Sequence, residues 1–176
     1  TVAIRTKKNS SLVRALEITK SDPEAAGMIS AGSTGAVLAG GIFKIGRIKG
    51  VLRPALCPLL PTMKGGKVCI IDCGANVDCR PEYLVQFALM GSSYMKACGV
   101  ENPRVALVSV GVEDKKGNEL THEVFARLKQ LPLNFVGNME ARDALSGEYD
   151  VLVCDGFVGN VLLKSIAVSY THLTLP

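Results

Sequence analysis

The sequence predicts an α/β protein, a doubly wound three-layer α/β/α sandwich built on a mostly parallel sheet. Three observations predict it. Apolar segments of strand length alternate with helical patterns along the chain. Those segments are nearly continuous in apolar character, as strands covered on both faces are. Several of them run into glycine-rich turns that open a helix or a polar loop.

In chain order, Asn9 and Ser10 are cap-type residues ahead of an amphipathic run from Ser11 to Lys20. Gly27 to Ser30 reads as a short buried strand, and Ala31-Gly32-Ser33-Thr34-Gly35 as a turn into a helix ending near Ile45. Val68 to Asp72 is a second strand, with β-branched Ile70 and Ile71. Pro81 suits the first turn of a helix running to about Cys98. Arg104 to Val110 is the third strand, Glu113 to Asn118 a charged loop and Glu119 to Gln130 a helix. Asn134 to Val136 and Asp150 to Cys154 are two further strands, and Gly156 to Gly159 turns into a last helix. No linker, low-complexity stretch or strict repeat is visible.

Composition sets the class. Of 176 residues 48% are hydrophobic and 20% charged, which fits a globular fold with a sizeable core. No apolar run approaches the roughly 20 residues of a membrane span, and no signal peptide opens the chain, so the cytoplasm is the expected compartment. The net charge of +4 is too modest to imply nucleic acid. Cys69, Cys73 and Cys79 lack a Cys-x-x-Cys pair and read, with the other three cysteines, as small buried hydrophobes; no metal is expected. Val168 to Pro176 resembles the translated read-through of a sequencing adapter, which leaves residues 1–167 for fold reasoning and His122 as the only histidine.

The chemistry is expected in the turns. Ser30 to Gly35, Asp72-Cys73-Gly74-Ala75-Asn76 and Asp155-Gly156-Phe157-Val158-Gly159-Asn160 would share the carboxyl edge of a parallel sheet, where ligands bind. Glycine lets backbone approach a ligand, and a helix start offers unpaired N–H groups, so an anion is favoured, phosphate above all. Neither a dinucleotide nor a Walker fingerprint is present. The loop Gly111 to Glu119 reads either as a substrate-contacting segment or as a solvated turn with Asn118 capping the next helix. Asn138 and Glu140 divide the same way between site residues and an ordinary turn. Lys44, Arg47, Lys49 and Arg53 interleave with apolar residues and suit an acidic partner or an anionic membrane, or are ordinary surface charge.

The blocks Arg5 to Ser11, Ser30 to Ala36, Arg53 to Leu56, Pro61-Thr62, Asp72 to Val77, Gly111 to Glu119, Gly137 to Asp143 and Asp155 to Asn160 resemble, in order, those of the acyl-carrier-protein-dependent phosphate acyltransferases. The resemblance spans about Val2 to Ile166. The family's opening glycine-rich strand-turn and its C-terminal region have no counterpart here, and Ser33 stands where many members carry Asn. The resemblance implies a homodimer of the isocitrate dehydrogenase and phosphotransacetylase fold, peripheral at a membrane. Its reaction would convert an acyl carrier protein thioester and inorganic phosphate into acyl phosphate for phospholipid synthesis, without a cofactor. On this reading Gly32, Ser33, Thr34 and Gly35 hold phosphate, with Gly156, Gly159 and Asn160 lining the same site beside Asp155 and Gly74. Lys116 and Lys164 stabilise charge, Asp72, Asn76, Glu113 and Asn138 orient ligand or one another, and Lys44, Arg47, Lys49 and Arg53 dock the carrier. A coenzyme-A-dependent phosphotransacetylase, a nicotinamide-dependent decarboxylating dehydrogenase and a non-catalytic phosphate-binding module are the alternatives.

Overall fold

The computed structural model describes residues 2–174. The chain divides into two compact units, Thr1–Pro54 and Ala55–Pro176.

The first unit is helical. It contains α1 (Val2–Thr6), α2 (Ser11–Ser21) and α3 (Thr34–Gly40), the last running on as a π-turn over Gly41–Ile45. The Ser10 side chain caps α2 by accepting from the Val13 N–H. Ile4, Val13 and Ala39 form its small core, with Leu12 and Ala36 packed against them. Lys44 pairs with Glu17 at 2.9 Å, and Lys20 Nζ donates to the Lys44 carbonyl at 2.7 Å, which fixes the π-turn to α2.

Gly27–Ser30 is not a strand. The segment has no ladder partner among the described residues, and Ile29 is fully exposed, so the short apolar run has no covered face to anchor it. The turn at Ser30 to Gly35 therefore does not follow a strand. It leads directly into α3, where Ala36 N and Val37 N donate to the Ser33 carbonyl.

The second unit carries the sheet. Its elements are β1 (Leu59–Pro61), β2 (Lys67–Ile71), α4 (Pro81–Ala97), β3 (Val105–Ser109), α5 (Glu119–Leu128), β4 (Phe135–Glu140), a 3₁₀ turn over Ala141–Asp143, β5 (Val151–Val153) and α6 (Gly156–Thr174). The strand order is β1-β2-β5-β3-β4. β2, β5, β3 and β4 are parallel, and β1 adds an antiparallel edge, with Leu59 opposite Cys69. On the other edge the register slips, so that Val105 faces Phe135 and Ala106 faces Gly137, leaving Val136 as a bulge.

Alternation along the strands sorts side chains to two faces. Cys69, Ile71, Val105, Leu107, Val151 and Val153 meet Leu84 and Phe87 of α4 and Val124 and Leu128 of α5. Val68, Ile70, Ala106, Val108 and Leu152 meet Met139 of β4 and Leu162 of α6. The result is the expected mixed α/β architecture with a mostly parallel sheet and helices on both faces. Pro81 opens α4 behind an extended Arg80, because proline needs no donor there and biases its predecessor toward extended backbone. Asn118 and Thr121 form a reciprocal cap on α5, with Asn118 Oδ1 accepting from Thr121 N at 3.0 Å and Thr121 Oγ1 from Asn118 N at 2.8 Å.

At the amino ends of the strands, Arg104 and Asp150 tie β3 to β5. Arg104 donates to the Asp150 carboxylate from its backbone N at 2.7 Å and from Nε and Nη2 at 2.9 Å each. Burial alone would raise the Asp150 pKa, but the hydrogen bonds and positive charge of Arg104 outweigh it and hold the carboxyl below its usual range. A depressed folded-state pKa stabilises the fold at pH values above the ordinary aspartate value of about 3.9, and the contribution is lost as pH falls through the folded value. Asp150→Asn is therefore expected to melt several degrees below wild type at neutral pH, the gap closing on acidification below about pH 4; thermal melts across pH check it.

Candidate functional site

Two of the expected glycine turns meet at the carboxyl edge of the second unit. The first leaves β2 through Asp72; the second leaves β5 through Asp155 and opens α6. Asp72 is fully buried, and its carboxylate holds the first turn closed. Oδ1 accepts from Leu56 N at 2.9 Å and Ala75 N at 3.2 Å; Oδ2 accepts from Asn76 N at 2.6 Å and Asn76 Nδ2 at 3.1 Å. Gly74 adopts φ +121° within that turn, a conformation glycine takes without cost.

The turns are then joined to each other. Gly156 N donates to the Asn76 carbonyl at 2.7 Å, and Asp72 N donates to the Cys154 carbonyl at 3.0 Å. A Cβ on Gly156 would lie 2.7 Å from the Asn76 carbonyl oxygen and 2.9 Å from Asp72 Oδ2. A Cβ on Gly159 would collide with the Asp72 carbonyl and lie 2.9 Å from Cys154 Sγ. Asn160 is packed beside Gly74. The first turn of α6 is thus pressed onto the Asp72–Asn76 turn, and only glycine allows that approach.

The helix start is partly consumed by the protein itself. Asp155 Oδ1 caps it by accepting from Val158 N at 2.9 Å, and Gly156 N is spent on Asn76. The expectation of an open helix start facing an anion is narrowed accordingly: Asp155 acts as the cap, and Asp72 organises the turn.

The Gly111–Asn118 loop follows β3 at the same edge. Asn138 on β4 is 5% exposed and its Nδ2 donates to the Glu113 carbonyl at 2.9 Å, so these two expected site residues are brought together through the loop backbone. The exposed Lys116 lies in that loop, its N–H donating to the Glu113 carbonyl at 3.0 Å. Lys164 is exposed on α6, eight residues past Gly156 and so about 12 Å down the helix axis, away from the turns. Glu140 pairs with Arg142 at 3.4 Å. Gly32, Ser33, Thr34 and Gly35, with Lys44, Arg47, Lys49 and Arg53, belong to the first unit.

A cavity of about 380 Å³ opens between these elements, lined by Leu84, Leu107 and Val158 with Ser109, Thr121 and Asp155. The Ser109 hydroxyl, sealed from solvent, has no hydrogen-bond partner among the described residues. The buried Asn138 Oδ1 is likewise unpartnered among the described residues. Sequence reasoning missed Ser109 and Thr121; the available signal was a lone hydroxyl ending an otherwise apolar strand at the ligand-binding edge.

Burial and neighbouring carboxylates hold the thiols around the turns protonated. Burial, then the neighbouring Asp72, pushes the Cys73 thiol up to about 12. Burial, then Asp155, pushes Cys79 up to about 11, and burial holds Cys154 well above its ordinary value. His122 is exposed, its Nε2 3.0 Å from the Lys115 carbonyl. Iodoacetamide at neutral pH is expected to label the exposed Cys98 first and to leave Cys69, Cys73 and Cys154 unmodified until the chain is unfolded, which peptide mass spectrometry reads directly.

The profile of the family described as "Fatty acid synthesis protein" matches residues 1–173. The chain belongs to this family. Among relatives, the phosphate acyltransferase of Bacillus cereus strain B4264 is 56% identical over 165 residues, covering 93% of this chain and 50% of its own length. The phosphate acyltransferase of Clostridioides difficile strain 630 is 53% identical over 164 residues, covering 93% of this chain and 48% of its own. The chain spans about half the length of the curated relatives it matches. Among solved structures, a branched-chain phosphotransacylase from Enterococcus faecalis V583 superposes with a TM-score of 0.60 at 17% identity, over 88% of this chain and 62% of that one. A phosphotransacetylase from Streptococcus pyogenes gives 0.60 at 17% identity, over 76% and 47%. At that identity the likeness is one of fold, and it accords with the α/β sandwich. No helix among the described residues is long and apolar enough to cross a membrane.

Proposed function

We propose that this family member takes part in transfer of an acyl group from a thioester to inorganic phosphate, forming acyl phosphate for phospholipid synthesis. The observation that carries the reading is the 53–56% identity to phosphate acyltransferases over 93% of the chain. The site's chemistry supports it. Phosphate near neutral pH is already an anionic nucleophile: its oxygen attacks the thioester carbonyl, and the C–S bond breaks to release the thiol. Such a reaction needs no thiolate, and the thiols at the turns are held protonated. It needs alignment, which can supply roughly 7–11 kcal/mol, and donors for the carbonyl oxygen, worth about 3 kcal/mol each.

In this proposal Asn160 and the Gly74, Gly156 and Gly159 backbone shape the substrate-binding edge, with Lys116 the charge stabiliser in the β3 loop. Asp72, Asn76, Asp155, Glu113 and Asn138 are positioning residues. Lys164 is a weaker candidate for that role, given its place on α6. Gly32, Ser33, Thr34 and Gly35 are the first unit's own candidate for binding phosphate. Acyl carrier protein is the proposed thioester donor, docking on Lys44, Arg47, Lys49 and Arg53, although Lys44 is already engaged by Glu17. A homodimer, a cytoplasmic location and peripheral association with the membrane complete the proposal.

The test offers the chain palmitoyl-acyl carrier protein, palmitoyl-coenzyme A and phosphate, and traps acyl phosphate with hydroxylamine. Hydroxamate formed from the carrier thioester, dependent on phosphate, is the expected result. Formation from the coenzyme A thioester alone would favour the phosphotransacetylase alternative. Phosphate binding without turnover of either would overturn the catalytic reading.

A further inference from the structure

In the loop after β3, every residue from Val112 to Glu119 is exposed, yet Gly111 is buried. A glycine has no side chain to hide, so other groups must lie across its Cα. Two side chains do. The point at which a Cβ would stand on Gly111 is 2.8 Å from Glu113 Oε2, 2.8 Å from Lys116 Cγ and 3.3 Å from Lys116 Cδ. The Glu113 carboxylate and the Lys116 stem therefore converge on one bare Cα and cover it.

The backbone beneath them is held. The Glu113 carbonyl accepts from Lys116 N at 3.0 Å and from Nδ2 of the buried Asn138 on β4 at 2.9 Å. Val110 and Gly117, on either side of this turn, line the sheet-edge cavity. The two glycines of the loop differ in kind. Gly117 has φ +118°, and a Cβ there would overlap the Thr121 hydroxyl that caps α5, so its conformation alone requires glycine. Gly111 lies outside the left-handed region, and its backbone suits ordinary residues. Only the space occupied by Glu113 and Lys116 excludes a side chain there, and both are exposed, flexible residues.

We propose that Gly111 is a positioning residue for Lys116: lacking a side chain, it forms the seat on which the lysine stem and the Glu113 carboxylate rest, and so fixes where the ammonium group stands beside the cavity. Its effect on catalysis rests on the reading of Lys116 as charge stabiliser. A lysine stem free in water spreads over many rotamers and carries its charge with it. Laid against the loop, the same stem keeps its charge in one place, as alignment demands. A methyl group on Gly111 removes the seat without touching the sheet.

The test is Gly111→Ala, alone and combined with Lys116→Ala. Gly111→Ala is expected to melt within about 2 °C of wild type, since the obstacles are exposed side chains that can move aside. By nuclear magnetic resonance, wild type is expected to show Overhauser contacts from the Gly111 α protons to the Lys116 γ and δ methylenes. In Gly111→Ala the paired protons of those methylenes are expected to lose their shift separation, as in a freely rotating stem. Hydroxamate assays are expected to show kcat lower by about 10- to 100-fold with KM for the thioester unchanged. Lys116→Ala is expected to lose at least as much, and the double variant no more than Lys116→Ala alone.

Absent wild-type contacts, or Lys116 resonances unchanged in Gly111→Ala, overturn the proposal. Losses that add in the double variant also overturn it, by making the effect of Gly111 independent of Lys116. So does a Gly111→Ala chain that melts well below wild type, which would make the glycine structural. Full activity in Lys116→Ala with the contacts present leaves the seat standing and removes Lys116 from the reaction. A chain that forms no acyl phosphate removes the proposed reaction, and the resonances then decide the seat by themselves.

Discussion

Replacing Asp72 by alanine is expected to cost the second unit at least about 3 kcal/mol, the largest effect of any single polar residue in the turns. The carboxylate accepts from Leu56 N, Ala75 N, Asn76 N and Asn76 Nδ2, and its side chain is wholly buried. Removing it strands three backbone donors where little water can replace the acceptor, at about 1–3 kcal/mol each. Asp72→Asn does not rescue the turn, because an amide offers one acceptor oxygen and points two further donors at N–H groups. A fall in melting temperature of roughly 10 °C or more for both variants, followed by near-ultraviolet circular dichroism, is the expected outcome. Acyl-phosphate formation should fall with it, since the Asn76 carbonyl that anchors α6 sits in the same turn. Wild-type melting of Asp72→Ala would show that the turn is held by something other than this carboxylate.

Gly159→Ala is expected to act on geometry. Its Cβ would be driven against the Asp72 carbonyl and Cys154 Sγ, both fixed by the sheet. Gly156→Ala meets the Asn76 carbonyl at 2.7 Å. Neither obstacle is a flexible side-chain end, so α6 must lift from the turn, at about 1–3 kcal/mol for the overpacking. A displacement near 1 Å at a site that works by alignment costs about 100-fold in rate. Both variants are thus expected to lose activity far more than stability. Gly41→Ala is the control: nothing lies within 4 Å of the place its new methyl group would take, and its backbone is helical, with φ −56°. It should be neutral or slightly stabilising, by about 0.4–1 kcal/mol. Unchanged activity in Gly159→Ala would disconnect the α6 start from function.

Local signals made much of the fold legible. Pro81 marked the start of α4, Asn118 the start of α5, and the buried strands β2 and β3 announced themselves as short β-branched runs between breakers. Gly27–Ser30 failed as a strand because four residues of suitable composition form one only where another strand pairs with them, and among the described residues none does. β1 was invisible for the opposite reason: proline at positions 58 and 61 argues against a strand, yet pairing with Lys67–Cys69 imposes one. In the site, glycine turns and their acidic neighbours were recognisable from spacing. That Gly156 would bond to Asn76, far away along the chain, was not, because it depends on β2 and β5 being neighbours. Ser109 escaped notice since its isolation from any partner among the described residues is a property of three-dimensional burial.

The two margins of the sheet carry a further consequence. One ends in Pro61, which has no amide proton to offer, and the other is interrupted where Val136 bulges before Gly137. A foreign strand approaching either side finds the repeating ladder broken within a few residues. Copies of the chain are therefore poor templates for one another, and concentrated protein should resist growth into fibrils even while its parallel core remains fully intact.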